Sequence, residues 1–177
     1  MTIDIRRVRP EEYDAAGALT ADAYREYGPR GDDEWEAYFR RLANIRDRDQ
    51  VAPVFVAVEE GILLGTVTLE LDQRIPADGP TMQGHPLEPG EAHVRMLAIA
   101  PVARRRGIGR LLMKRCADEA SKAGKTRLTL NTGDQMEPAK AMYEALGFDL
   151  VDRQEFDDGF CLLTYATDLA APEPPRS

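Results

Sequence analysis

With 177 residues, 43% of them hydrophobic and 31% charged, the chain has the balance of one soluble globular domain large enough to bury a core. Its formal net charge of −8 argues against general nucleic-acid binding, which depends on neutralising phosphates. No stretch approaches the run of about 20 apolar residues that a membrane span needs. The two cysteines, Cys116 and Cys161, suggest neither a disulfide framework nor a metal site, and the two histidines, His85 and His93, form no ligand cluster. The segment Met1-Thr2-Ile3-Asp4-Ile5 lacks the basic and apolar regions of a signal peptide, so a cytoplasmic chain is expected.

In chain order, Ile3, Ile5 and Val8 predict a first strand, broken at Pro10. Pro10-Glu11-Glu12 opens a helix to about Tyr24, with proline in the first turn and acids at the positive end of the dipole. A second helix is expected over 33–44, where Trp35, Tyr38, Phe39 and Leu42 fall near helical spacing. Residues 53–59 and 62–71 form a hairpin across Glu60-Gly61, with Val67, Leu69 and Leu71 as its buried face. Residues 72–90, rich in Pro and Gly, read as a long loop of functional interest. A strand over 92–100 ends at Pro101, and a helix over 107–123 follows, its apolar face made by Ile108, Leu111, Leu112, Cys116 and Ala120 and its stop by Gly124. A strand over 126–131, a short helix over 137–146 and a last hairpin, 148–156 with 160–167 across Asp157-Asp158-Gly159, complete the domain. One domain over 1–168 with a disordered tail over 169–177 accounts for the chain.

The chemistry concentrates in the stretch from Val94 to Met113. Arg104, Arg105, Arg106, Arg110, Lys114 and Arg115 make a basic cluster in an acidic chain, and a solvated helix face is its plainest reading. Gly107 and Gly109 change that reading, because they let the backbone approach a ligand just where the N–H groups of a new helix point outward. The chemistry implied is pyrophosphate binding, with Arg104 to Arg106 and Arg110 adding charge-assisted contacts. A Walker A loop is excluded, since Gly109-Arg110-Leu111 is not Gly-Lys-Ser/Thr. A dinucleotide fingerprint is excluded too, since Leu112 stands where its third small residue belongs.

Arg104-x-x-Gly107-x-Gly109, after a strand reading Arg95-Met96-Leu97-Ala98-Ile99, resembles the acetyl-CoA motif of the GNAT acetyltransferase superfamily. Ala139-x-x-x-Tyr143-x-x-x-Gly147-Phe148 is similar to the family's final motif. The resemblance implies an α/β (α+β) domain: a mixed, mostly antiparallel sheet of about six to seven strands, with about four helices covering both faces. Its two central strands, near 92–100 and 126–131, would splay to admit acetyl-CoA as co-substrate, with no metal. The N–H groups of 104–110, Ile108 among them, would cradle the pyrophosphate, and Leu97, Ala98 and Ile99 would run along the pantetheine arm. The Leu97 N–H would hold the thioester oxygen, and Tyr143 would protonate the leaving thiolate. Tyr143 also reads as a core aromatic.

Many relatives carry a glutamate where this chain has His93, which reads either as the base that takes the amine proton or as a partner of Glu91. Asn131 substitutes for an asparagine that relatives carry near the start of the tyrosine helix, a region held here by Met136-Glu137-Pro138. The acceptor side falls to 24–36 and 72–90. There Asp32, Asp33, Glu34 and Glu36 beside Tyr24, Tyr27 and Trp35 would suit a cationic amine, although an acidic helix start explains most of the carboxylates. The expected activity is transfer of acetyl to a primary amine by direct attack in a ternary complex, Cys116 and Cys161 being badly placed for an acyl-enzyme. A non-catalytic acyl-CoA sensor and a transferase of another short acyl group are the alternatives. The expected partners are acetyl-CoA and the amine, with neither nucleic acid nor membrane, and a homodimer is left open.

Overall fold

A computed structural model describes residues 2–27, 33–72, 87–157, 159–171 and 176. Expectations placed on Gly28-Pro29, on Asp32, on 73–86 with His85, on Asp158 and on 172–175 and 177 lie outside the described residues.

The sheet grows outward from a local hairpin. β2 (Val54–Glu59) and β3 (Ile62–Glu70) join across Glu60 and Gly61, both at positive φ (50° and 80°), the turn whose twist matches paired strands. β1 (Asp4–Arg7) pairs with β2, and β4 (Glu91–Ile99) with β3, all antiparallel. β5 (Arg127–Gly133) lies parallel to β4; β7 (Cys161–Asp168) and β6 (Asp149–Glu155) follow antiparallel. The seven-stranded order is β1-β2-β3-β4-β5-β7-β6. The single parallel step requires a crossover, which α4 (Ile108–Lys122) supplies.

The helices cover both faces. α4 buries Ile108, Leu112, Met113, Cys116 and Ala120 against Ala92 and Val94 of β4 and Leu128 and Leu130 of β5. Leu111, expected on that face, is 39% exposed, and Met113 takes its place. α4 ends where Gly124 turns to φ +80 and the N–H of Lys125 reaches back to the Ala120 carbonyl at 3.0 Å. α5 (Glu137–Ala145) packs into the same core through Tyr143 and Met142.

On the other face lie α1 (Tyr13–Arg25) and α2 (Asp33–Ala43), and then α3 (Ile45–Val51), a helix the sequence reading missed. α3 is mostly charged. Its signals are Asn44, whose side chain accepts from the Asp47 N–H, and the buried Ile45 and Arg48. Arg48 donates to the Arg41 and Leu42 carbonyls (3.2 and 2.9 Å), which end α2, and to Thr68 Oγ1 at 3.1 Å. Burial, and then the neighbouring Arg95 guanidinium, push its pKa down to about 10. β3 was read as one-sided, with Val67, Leu69 and Leu71 inside. It is buried on both faces from Leu64 to Glu70, because helices cover it from both sides. Among the described residues five α-helices thus stand beside the about four expected. Among the described residues, no helix is long and apolar enough to cross a membrane.

Candidate active site

The site begins with an interruption of β4. Thr66 pairs with Ala98 and Thr68 with Arg95, so two steps along β3 match three along β4. The extra residue is absorbed at Met96, whose φ of 55° is left-handed. This bulge reverses the alternation of side chains. Ala92 and Val94 belong to the α4 core, and beyond the bulge Leu97 and Ile99 take that side, while Met96 joins Tyr38, Phe39 and Leu42 under α1 and α2.

The second ingredient is a ladder that stops. β4 and β5 pair from Glu91↔Arg127 to Val94↔Leu130 and no further, although β5 continues alongside β7 to Gly133. Residues 95–99 of β4 therefore present a backbone edge to a widening cleft. A cavity of about 650 Å³ occupies it, a size that suits a sizeable ligand. The splay expected between the two central strands is this opening.

At one end of the cavity the chain enters α4. Arg105 (φ +63) and Gly107 (φ +77) are both left-handed, an arrangement that turns successive N–H groups toward a common point. Gly107 caps α4 with no side-chain acceptor, and the first turn contains no acid. The N–H groups of that turn and the dipole behind them are thus left to an external anion. Arg104, Arg105, Gly107, Ile108, Gly109 and Arg110 all line the cavity.

Arg106 is not in that lining, and its side chain is engaged elsewhere. Its Nη2 donates to both carboxylate oxygens of Glu59 at 2.9 Å, tying the turn to the β2–β3 hairpin. Arg104, although in the lining, donates to Glu26 Oε1 at 2.7 Å, which tethers the end of α1 to the same turn. Gly109 has a packing duty as well: a Cβ there would lie 2.8 Å from Met142 Sδ on α5.

Tyr143 stands on α5 and lines the cavity. The Tyr143-x-x-x-Gly147-Phe148 spacing has a physical cause. Gly147 at φ +92 ends the helix, its N–H bonding the Glu144 carbonyl (3.1 Å), and the Phe148 N–H bonds the Tyr143 carbonyl (3.0 Å). Tyr143 and Phe148 are the two residues whose side chains meet in such a cap, with ring centroids 6.1 Å apart; Tyr165 flanks Tyr143 at the same distance. The tyrosine is thereby held by the helix stop itself. It is 6% exposed, and burial raises its pKa, with the neighbouring Cys116 adding to the effect, so the phenol stays protonated. Tyr165 and Tyr13 each donate to a carboxylate, Glu144 and Asp49, whereas the Tyr143 hydroxyl has no hydrogen-bond partner among the described residues.

His93 is 1% exposed and also lines the cavity. Thr129 of β5 bridges it to Glu91, its Oγ1 2.7 Å from His93 Nδ1 and 2.5 Å from Glu91 Oε1. Asn131, also in the lining, accepts from the Thr164 hydroxyl at 2.8 Å, which fixes its amide with the carbonyl toward β7. Leu97, Ala98 and Ile99 line the middle of the cavity.

Tyr24, Tyr27, Trp35 and Tyr38 form an aromatic wall, with Arg95 beside them. Arg95 is 7% exposed and ion-paired through Nε to the buried Glu70 at 3.4 Å. The sequence reading passed over Thr129, Arg95 and Glu70. Thr129 shows itself only through strand register, and the other two lie in segments whose burial depends on helices distant in sequence. Cys116 and Cys161 are buried, and burial raises the Cys116 thiol far above its ordinary range. Among the described residues no group of three or more His, Cys, Asp or Glu is placed to hold a metal.

A helix N-terminus left open to an anion, an open strand edge and a protonated phenol thus line one cavity. The chain belongs to the acetyltransferase (GNAT) family, whose model matches residues 16–148. Its fold is shared with yncA of Salmonella typhimurium, a putative acetyltransferase solved with its cofactor acetyl-CoA, at 18% identity and a TM-score of 0.70 over 100% of this chain and 99% of that one. The ribosomal-protein-S18-alanine N-acetyltransferase of Escherichia coli is similar at 18% identity and 0.69, over 99% of both chains. An N-acetyltransferase of Staphylococcus aureus Mu50 is similar at 23% identity and 0.67, over 96% of this chain and 100% of that one. Comparison with curated proteins finds no match.

Proposed function

We propose that this chain is an N-acetyltransferase that carries acetyl from acetyl-CoA to a primary amine by direct attack. The observation that carries the reading is the convergence of the uncapped α4 N-terminus, the open edge of β4 and the Tyr143 hydroxyl on one cavity. The residues fit acetyl-CoA: the turn at 104–110 is left open to an anion at its N–H groups, and the stretch 95–99, beyond the β4–β5 pairing, is long enough for an extended arm to lie along. Acetyl-CoA supplies a thioester whose carbonyl carbon an amine can attack.

The chain's own groups then divide the work. The Leu97 N–H donates to the carbonyl oxygen as negative charge develops there, a contribution that belongs to the transition state. Tyr143 donates to the sulfur as it leaves. His93 accepts the amine proton, directly or through water, and the aromatic wall receives the acceptor. The same reading takes 1–168 as one domain and its setting as the cytoplasm. The test is thiol release from acetyl-CoA against a panel of primary amines and the matching alcohols. Release with an amine, together with the acetylated amide in the products, supports the reading. Acetyl-CoA binding with no release across the panel supports the sensor instead.

Two variants separate the parts. Gly109→Val places a side chain 2.8 Å from Met142 Sδ in the lining of the cavity, beside the turn proposed to cradle the pyrophosphate, and is expected to weaken acetyl-CoA binding about tenfold, or about 1.4 kcal/mol. Arg106→Ala is expected to leave the affinity within about twofold, its side chain being held by Glu59. Calorimetry reads both. For His93→Gln, the rise of kcat/KM for the acceptor through the histidine's pKa, ordinarily about 6.5, is expected to vanish, leaving only the acceptor's own ionisation. An unchanged profile in a folded protein removes His93 from the proton path.

A further inference from the structure

We infer that Thr129 and Glu91 form a relay that fixes the tautomer of His93, making Thr129 a positioning residue for the proton transfer; this rests on the reading of His93 as the base.

The Thr129 Oγ1 lies 2.5 Å from Glu91 Oε1, while Glu91 Oε2 accepts the Glu88 N–H at 3.0 Å. Acceptance at both oxygens is the pattern of an ionised carboxylate, so the one hydroxyl hydrogen of Thr129 belongs to Glu91. Among the described residues, the competing acceptor for that hydrogen is the Ala92 carbonyl, at a longer 3.4 Å. The same Oγ1 is 2.7 Å from His93 Nδ1, and with its hydrogen committed it meets the ring only as an acceptor. Nδ1 therefore carries a hydrogen, and in the neutral ring Nε2 carries the lone pair.

Strand register builds this arrangement. His93 lies directly opposite Thr129 in the parallel β4–β5 pairing and opposite Glu70 in the antiparallel β3–β4 pairing. Glu91 sits two residues before His93, on the same face of β4. The relay is dry: Glu91 is 4%, His93 1% and Thr129 2% exposed, so water does not compete for these bonds. The other ionisable groups on this face are Glu70, Arg95, Arg48 and the phenols of Tyr24 and Tyr38. Glu70 and Arg95 are ion-paired with each other.

When the amine loses its proton, an N–H bond breaks and the Nε2–H bond forms. The ring becomes an imidazolium, and Nδ1 keeps its hydrogen. The new charge is stabilised by Glu91 through the threonine hydroxyl, so no proton need move along the relay.

The test uses the two histidines, His85 and His93, in a ¹⁵N-labelled protein, with His93→Gln assigning the signals by loss. In the neutral form the His93 ring of the wild type is expected to show the hydrogen on Nδ1. Thr129→Val, close to isosteric, should abolish that preference and lower kcat/KM for the acceptor about tenfold or more, within the 10²–10⁴-fold that a general base is worth. KM for acetyl-CoA should stay unchanged. Thr129→Ser should restore both the tautomer and the rate, and Glu91→Gln should move the pH limb to lower pH, since the imidazolium loses its carboxylate. A wild-type ring protonated on Nε2, or a folded Thr129→Val protein with wild-type rate and pH limb, overturns the relay. The tautomer is read without turnover, so a failure of His93 as the base is seen separately, in the pH profile of His93→Gln.

Discussion

Replacing Tyr143 by phenylalanine is expected to lower kcat by about 10²–10⁴-fold, the range for lost proton donation, with little change in KM for acetyl-CoA. The hydroxyl acts only as the carbon–sulfur bond breaks, so its loss falls on the transition state. The buried environment sharpens the expectation. It holds the phenol protonated, so the wild-type enzyme should show no loss of activity from this group below about pH 10, the ordinary tyrosine value, and the alkaline limb belongs above it. Stability should not follow the rate. The hydroxyl has no hydrogen-bond partner among the described residues and Tyr143 lines the cavity, so phenylalanine breaks no bond and should keep the melting temperature. A large fall in kcat beside an unchanged Tm separates a catalytic hydroxyl from a core ring. Full kcat with chemistry rate-limiting would assign Tyr143 to packing alone.

Gly17→Ala is expected to destabilise the protein by about 3 kcal/mol, at the upper end of ordinary overpacking. An alanine inside a helix normally gains about 1 kcal/mol over glycine, so the sign is the point of the experiment. Gly17 lies in α1, and a Cβ there would stand 2.1 Å from the carbonyl oxygen of Ala43, at the end of α2. That neighbour is backbone, which cannot swing aside as a flexible side chain does. For a domain of this size each kcal/mol shifts Tm by about 2–4 °C, so a fall of roughly 6–12 °C is expected. α1 and α2 also carry Tyr24, Trp35 and Tyr38 to the cavity wall, so KM for the acceptor should rise while KM for acetyl-CoA changes less. A stabilised Gly17→Ala protein would mean that α1 and α2 pack differently from the arrangement described above.

What was legible in the sequence was local. Gly107, Gly109 and Gly147 mark places where the backbone itself must turn or approach closely, and residues a few positions away complete each device. The hairpins at Glu60-Gly61 and before Cys161 follow from turn chemistry and alternation in the same way. What escaped depends on register or on distant elements. The bulge at Met96 puts a positive φ on a residue with no preference for it, and only the pairing of β3 with β4 discloses it. Thr129 reaches His93 across a parallel pair joined through α4. Arg106 reads as part of a phosphate cluster, and its pairing with Glu59, in the β2–β3 hairpin, does not show in the sequence. α3 is too short and too charged for an apolar period to reveal it. Arg48 in that helix is buried because it serves the carbonyls that end α2.

Acetyl-CoA is proposed to lie along the open edge of β4 with its phosphates at the turn into α4. Amide hydrogen exchange, followed by mass spectrometry with and without acetyl-CoA, tests it most directly, because both contacts are proposed to be made by backbone N–H groups. Protection on binding is expected in peptides covering 95–99 and 104–110, with β1 and β6, at the two edges of the sheet, unchanged. Binding that leaves both segments exchanging as before, or that protects another part of the sheet instead, would contradict it.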